Sequence, residues 1–151
     1  MLLIVGFLVF VFIYSVVSIV SGLMPISLID LPAALIVIVP LLFFLPASKS
    51  GKIIGRYIKA SFTKDHTYTG SELSGLVAAV KNTIKFILGT GGMGFLVGII
   101  AMLKNLENRA LLGPNMAISL ITVFYSLAIS FFIFFPTQAW AENKLNTLKG
   151  E

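Results

Sequence analysis

The sequence predicts an all-α, polytopic membrane protein with four transmembrane helices, a short basic amphipathic cytoplasmic helix and a long third helix that extends into the cytoplasm. Two observations predict this fold class. The 151-residue chain is 58% hydrophobic and only 11% charged, and its mean hydropathy is +1.02, unlike a soluble globular domain. Its apolar residues form continuous stretches rather than alternating with polar ones, which favours helices over a transmembrane barrel.

The first two spans are predicted at about residues 2–20 and 31–47. Each is long enough to cross a hydrocarbon core of roughly 30 Å at about 1.5 Å per residue. The first lacks the basic start and the cleavage pattern of a signal peptide, so we interpret it as a span. Asp30 and Pro32 are typical of a capped helix start, and Pro40 predicts a kink inside the second span.

The stretch 48–82 is predicted to be cytoplasmic because basic residues enter the sequence there. Lys49, Lys52, Arg56 and Lys59 punctuate apolar residues at roughly helical spacing, which predicts a basic amphipathic helix at the membrane surface. A span end with snorkelling lysines is the alternative.

The third and fourth spans are predicted at about residues 83–103 and 116–135. Thr69-Gly70-Ser71-Glu72 has the form of a capping box, so one long helix is predicted to begin near Gly70 and to enter the lipid at the third span. A polar connection, residues 104–113, leads to the fourth span, which is predicted to end at Pro136. Trp140, in the polar tail 136–151, suits an interfacial anchor.

The chain, residues 1–151, is predicted to be a single membrane domain with both termini in the cytoplasm. The opposite side carries only Lys104 and Arg109. The other flanking basic residues are Lys49, Lys52, Arg56, Lys59, Lys64, Lys81, Lys144 and Lys149. An excess of Lys and Arg marks the cytoplasmic side of a membrane protein.

The acidic residues lie at span ends or in loops, so the sequence predicts neither an enzyme nor a carrier that protonates its own carboxylate at membrane depth. They are Asp30, Asp65, Glu72, Glu107, Glu142 and Glu151. A permease would need a substrate site at that depth, and the sequence offers none. We expect no cofactor and no metal, because His66 is a lone histidine in a polar stretch and cysteine is absent.

Small and hydroxylated residues mark the third and fourth spans. Gly94 and Gly98 are in a G-x-x-x-G relation, which favours close helix packing over a dedicated bend. In the fourth span Ser119, Thr122, Ser126 and Ser130 approximate one helical stripe. Such hydroxyls either line a pore or bond back to their own helix, and the sequence leaves both interpretations open.

Two stretches carry a family resemblance. Residues 28–38 read LIDLPAALIVI, and residues 94–145 contain GIIAMLKNL, LGPNMAISLITVFY and Phe135-Pro136. These stretches resemble the MotA stator subunit of bacterial flagellar motors, within the MotA/TolQ/ExbB proton channel family. The resemblance implies a bacterial inner-membrane homopentamer around a dimer of single-span MotB-like partners. A membrane aspartate of the partner would carry the proton or sodium ion whose flow drives rotation.

The resemblance also implies site residues. Thr122 matches the family's threonine in span four, so we expect it in the ion pathway with Ser126 and Thr90 as weaker neighbours. Pro136 matches the family's proline at the cytoplasmic end, and we expect it to serve helix packing together with Gly94 and Gly98.

This sequence departs from the family pattern at several positions. Leu88, Phe95 and Val123 stand where the family has proline, threonine and threonine. The segment 48–82 occupies the place of a larger cytoplasmic domain that grips the rotor, so we do not expect a standard rotor contact. Because apolar side chains cannot replace the partners of a moving ion, these departures favour an alternative: a non-conducting pentameric scaffold that anchors an envelope complex.

Overall fold

The computed structural model describes residues 30–61 and 68–150, together with isolated helical positions between residues 8 and 20. Most of the first predicted span, and His66 with its neighbours, lie outside the described residues. The described part is helical, with short connections. Its elements are α1 (Leu31–Ala47), α2 (Ser50–Ser61), α3 (Gly70–Lys104), α4 (Arg109–Ile129), a π turn (Ser130–Phe134) and α5 (Phe135–Gly150).

Two stretches of the described residues are long and apolar enough to cross a membrane. They are α3, with 35 residues, and the continuous 42-residue helical stretch from α4 to the end of α5. Helices α1 and α2 form a third candidate if they are taken together as one span bent by 93°. Over the described residues, the prediction of an all-helical fold with helices able to span a membrane is therefore confirmed, whereas the count of four spans stays a prediction.

The start of α1 follows from its capping residue. The Asp30 carboxylate accepts a hydrogen bond from the Ala33 N–H at 2.8 Å, and Pro32 needs no partner in the first turn. The helix continues through Pro40 and ends at Ala47. Lys49 then adopts a φ of 58°, in the left-handed region, and the chain turns by 93° into α2.

We expect Asp30→Ala to lower the free energy of unfolding by about 1 kcal/mol, because the variant leaves the first turn of α1 without an acceptor. Asp30→Asn keeps a capping oxygen and is the matched control. Both variants retain the backbone N–H of residue 30, which donates to the Tyr125 hydroxyl at 3.0 Å and ties α1 to α4. Thermal unfolding in detergent measures the difference, and equal stability of the two variants would contradict the expectation.

The long helix α3 begins at the predicted residue. The Thr69 N–H donates to the Glu72 carboxylate at 3.1 Å, and the predicted capping box is present. The connection to α4 is shorter than predicted: α4 begins at Arg109, not beyond Gly113. The physical reason is a second cap, because the Asn108 side chain accepts from the Ala110 N–H at 3.2 Å before Pro114 is reached.

The helix that contains the predicted fourth span continues beyond Pro136, the residue at which the span itself is predicted to end. The π turn before it explains the difference: the Phe135 N–H donates to the carbonyl of Ser130, five residues back. Such a bulge accommodates a break in the regular hydrogen-bond register, and Pro136 itself has no N–H to donate. The residues after it continue as α5, so the polar tail is helical as far as Gly150.

Helices α2, α3 and α5 share a small core. It consists of the buried residues Tyr57, Leu73, Leu76, Val80 and Ala141. The Trp140 ring packs beside it, 5.2 Å from the ring of Tyr57 and 5.5 Å from that of Tyr68.

Lys144 places its Nζ over two of these rings, 5.3 Å from Tyr68 and 5.4 Å from Trp140. Burial, and secondarily the Glu72 carboxylate, raises the pKa of Tyr68, so its phenol stays neutral and the contact with Lys144 is a cation–π interaction. Trp140, predicted as a lipid anchor, thus holds α5 against α2 and α3.

Candidate functional site

The candidate site is the seam where α3 and α4 approach most closely, defined here by three pairs of small residues. The pairs are Gly91 with Ser126, Gly94 with Thr122, and Gly98 with Ser119. All six are buried. Because the α4 numbers fall as the α3 numbers rise, the two helices run antiparallel.

The seam leaves no room for a side chain on α3. An ideal Cβ added to Gly91 would lie 2.5 Å from the Ser126 Cβ, and one added to Gly98 would lie 2.9 Å from the Ser119 Cβ. Atoms at these distances cannot coexist, so the closeness of the helices depends on glycine. Sequence reasoning missed Gly91. Its position three residues before Gly94 on the same helix face was the signal that could have found it.

Helix α1 covers one edge of the seam. An ideal Cβ on Gly94 would lie 2.8 Å from the Ile36 Cγ2, so α1 approaches the seam at the level of Thr122. Toward the end of α1, the ring of Phe44 stacks on that of Phe86 with centroids 4.1 Å apart. The residues of α1, α3 and α4 around the seam therefore form one packed unit.

The seam hydroxyls donate to their own helix. Ser119 donates to the Asn115 carbonyl at 2.8 Å, Thr122 to Ile118 at 2.7 Å and Ser126 to Val123 at 2.8 Å. Their residues are 0 to 2% exposed. Within one described chain the predicted pathway residues Thr122 and Ser126 thus lie inside helix packing, with only oxygen lone pairs left to offer a ligand.

The other predicted site residues lie elsewhere. Thr90 is half-buried outside the seam, and its hydroxyl donates to the Phe86 carbonyl at 2.8 Å. Pro136 lies in the first turn of α5, beyond the π turn. The structure therefore brings Thr122, Ser126, Gly94 and Gly98 together and leaves Thr90 and Pro136 apart.

Ser130, the last member of the hydroxyl stripe, differs from the others. It is 2% exposed, and its Oγ has no hydrogen-bond partner among the described residues. Buried polar atoms are nearly always paired, so this exception needs an explanation.

The seam carries no ionisable group. The acidic residues of the described part lie at helix ends, in the 105–108 connection or in α5, and they are Asp30, Glu72, Glu107 and Glu142. Of the three positions that depart from the family pattern, Phe95 and Val123 are half-buried beside the seam and Leu88 is 38% exposed. Among the described residues, the seam therefore supplies helix packing and hydroxyl oxygens.

Several bacterial proteins share part of this sequence. Chemotaxis protein PomA of Vibrio alginolyticus is 44% identical over 46 residues, which are 30% of this chain and 18% of that protein. Motility protein A of Borreliella burgdorferi is 32% identical over 91 residues, or 60% of this chain and 32% of that protein. The uncharacterized protein YtxD of Bacillus subtilis is 43% identical over 60 residues, or 40% of this chain and 22% of that protein.

The matched stretches span 18 to 32% of the length of these relatives. No protein-family model matches the chain, and no solved structure matches it significantly. The partial relatives support a MotA-like family at modest identity. Together with the apolar helices, they also support an inner-membrane protein.

Proposed function

We propose that this chain is a MotA-like subunit of a 5:2 ion-driven motor or energy transducer. Five copies surround a dimer of single-span MotB-like partners, and the proton or sodium motive force drives the pentamer around the dimer. The observation that carries the proposal is the sequence shared with proteins named for motility and chemotaxis. The matched stretches cover 18% and 32% of those proteins, and the geometry of the seam is the second support.

The seam has no acidic residue, which supports a mechanism in which the partner supplies the carboxylate that carries the ion. A membrane aspartate on the partner carries the ion. This chain supplies the helical surface beside which that aspartate binds the ion and then releases it. Thr122 and Ser126 are buried in the seam of the single chain. In the assembly the seam opens toward the partner, and their hydroxyl oxygens serve the ion without a competing charge. The glycine packing holds α3 and α4 together as one rigid body. A subunit that rotates as a unit needs such rigidity. The proposed role is therefore transport and motion, not enzymatic catalysis.

The proposed orientation has four spans, both termini in the cytoplasm and α2 on the inner surface. The right-angled bend supports it, as do the exposed side chains of Lys49, Lys52 and Arg56 on a face of α2 turned away from the buried Ser50 and Tyr57. A basic face suits the anionic inner surface of a membrane.

Two measurements test the proposal. Purification of the full chain with its co-expressed single-span partner should give a complex whose native mass corresponds to five copies around two. The chain has no cysteine, so single cysteines report topology without background. A membrane-impermeant maleimide should label Glu107→Cys in intact cells and Asn146→Cys only after permeabilisation. A monomeric product, or the reverse labelling pattern, would contradict the proposal.

The second candidate function is a non-conducting pentameric scaffold that anchors an envelope complex. Phe95 and Val123 favour it, because both place apolar side chains beside the seam where the family has threonine. Ion flux into vesicles that contain the purified complex distinguishes the two. A sealed complex of the right composition supports the scaffold, and a flux abolished by removing the partner's aspartate supports the motor.

A further inference from the structure

A groove of about 310 Å³ lies between α3 on one side and the π turn with the start of α5 on the other. Its size lies within the roughly 300–1,000 Å³ of small-molecule sites. Apolar side chains form its walls, namely Ile84, Leu88, Phe131 and Phe135. Two exposed lysines, Lys81 and Lys85, stand at its mouth. Gln138 completes the lining, and its Nε2 donates to the Glu142 carboxylate at 3.0 Å. The groove thus combines apolar walls with two lysines and one amide.

A buried hydroxyl without a partner lines this groove. Ser130 belongs to the lining, and its Oγ finds no acceptor or donor among the described residues. The three seam hydroxyls before it on α4 all donate to their own helix, but Ser130 lies where the backbone changes to the π register. Leaving a buried hydroxyl unpaired costs free energy unless a ligand supplies the missing partner.

The groove lies at a membrane boundary on both of its helices. Lys81 and Lys85 flank the predicted inner start of the third span at residue 83, and Phe135 stands at the predicted inner end of the fourth. The two predicted boundaries come from different stretches of sequence, and the structure places their residues along the same groove. Lysine ammonium groups at this depth meet lipid phosphates, while the apolar walls continue toward the hydrocarbon.

We propose that this groove binds one anionic phospholipid. The phosphate lies against the ammonium groups of Lys81 and Lys85, and one acyl chain runs between Leu88 and Phe131. The Ser130 Oγ is closed off in the lipid-free chain, so the groove wall shifts when lipid binds, and the hydroxyl then donates to an ester oxygen of the glycerol. A lipid phosphate matches the charge of both exposed lysines, whereas a partner helix gains from them only if it carries acidic side chains at this level. The site is independent of ion conduction, so it stands or falls separately from the motor function.

Titration of the purified full chain with phosphatidylglycerol tests the site, with phosphatidylcholine as the uncharged comparison. Native mass spectrometry and the lipid-induced rise in Tm are the readouts. We expect the double variant Lys81→Gln/Lys85→Gln to weaken phosphatidylglycerol binding about tenfold. Each basic residue near an anionic lipid surface contributes substantially to the free energy of lipid binding. The control Lys104→Gln/Arg109→Gln removes the same charge at the opposite end of the helices and should bind like the unchanged chain.

Ser130→Ala separates a ligand role from a structural one. Without lipid, this variant should unfold at the same or a higher Tm, because it removes an unpaired buried hydroxyl. When phosphatidylglycerol is added, the Tm of this variant should rise less than that of the unchanged chain. Equal binding of the two lipids, or equal binding by the double lysine variant, would overturn the proposal. So would a photo-crosslinker at Phe131 that captures a neighbouring polypeptide instead of lipid.

Discussion

Gly91→Ala should lower the free energy of unfolding by about 1–3 kcal/mol, the usual cost of overpacking a tight core. The added methyl would lie 2.5 Å from the Ser126 Cβ, an atom fixed to the α4 backbone and unable to rotate away. The helices must separate, and the contacts at Gly94 and Gly98 weaken with them. Denaturant titration in detergent, followed by circular dichroism, measures the loss.

Gly92→Ala is the matched control, since it makes the same chemical change one residue along α3. An ideal Cβ on Gly92 meets nothing within 4 Å. Replacing glycine by alanine in an open helix position stabilises by up to about 1 kcal/mol, so this variant should be neutral or more stable. Adding Ser126→Gly to Gly91→Ala removes the opposing Cβ and should restore part of the stability. Equal behaviour of the two single variants would contradict the tight seam.

The sequence predicted the elements whose signals are local. The capping residue Asp30, the start of α3 near Gly70 and the closely spaced small residues of the third span all follow from spacing within a few positions. The continuation of the last helix beyond Pro136 did not, because proline normally ends or kinks a helix and only the π turn absorbs it here. A change of register over five residues leaves no pattern in the sequence.

The candidate site was predictable by residue type but not by arrangement. The stripe from Ser119 to Ser130 was visible, whereas its pairing with α3 depends on the crossing of two helices that are distant in sequence. For the same reason Thr90 was grouped with Thr122, although it lies outside the seam. Whether a hydroxyl faces a pore or its own backbone is decided by tertiary packing, which periodicity alone does not specify.

Thr122→Val should leave the complex assembled but reduce its ion flux about tenfold. Valine keeps the shape of the side chain against Gly94 and removes only the hydroxyl, whose donor engages the Ile118 carbonyl. Stability should therefore change by less than about 1 kcal/mol. Thr122 is buried within the single chain, so the loss of an oxygen partner requires that the seam opens toward the ion path in the assembled complex. An interaction of about 1.4 kcal/mol then corresponds to a tenfold change in rate.

Thr83→Val controls for the loss of any buried threonine hydroxyl. Thr83 is 0% exposed and donates to its own helix, to the Ala79 carbonyl at 2.8 Å, but it lies outside the seam. Its replacement should leave the flux unchanged, while Thr122→Ser, which retains a hydroxyl, should recover most of it. Proton or sodium uptake by vesicles that contain the purified complex provides the measurement. If Thr122→Val conducts as well as the unchanged complex, the Thr122 oxygen is not part of the ion route. The Thr122 side chain then serves only to pack against Gly94.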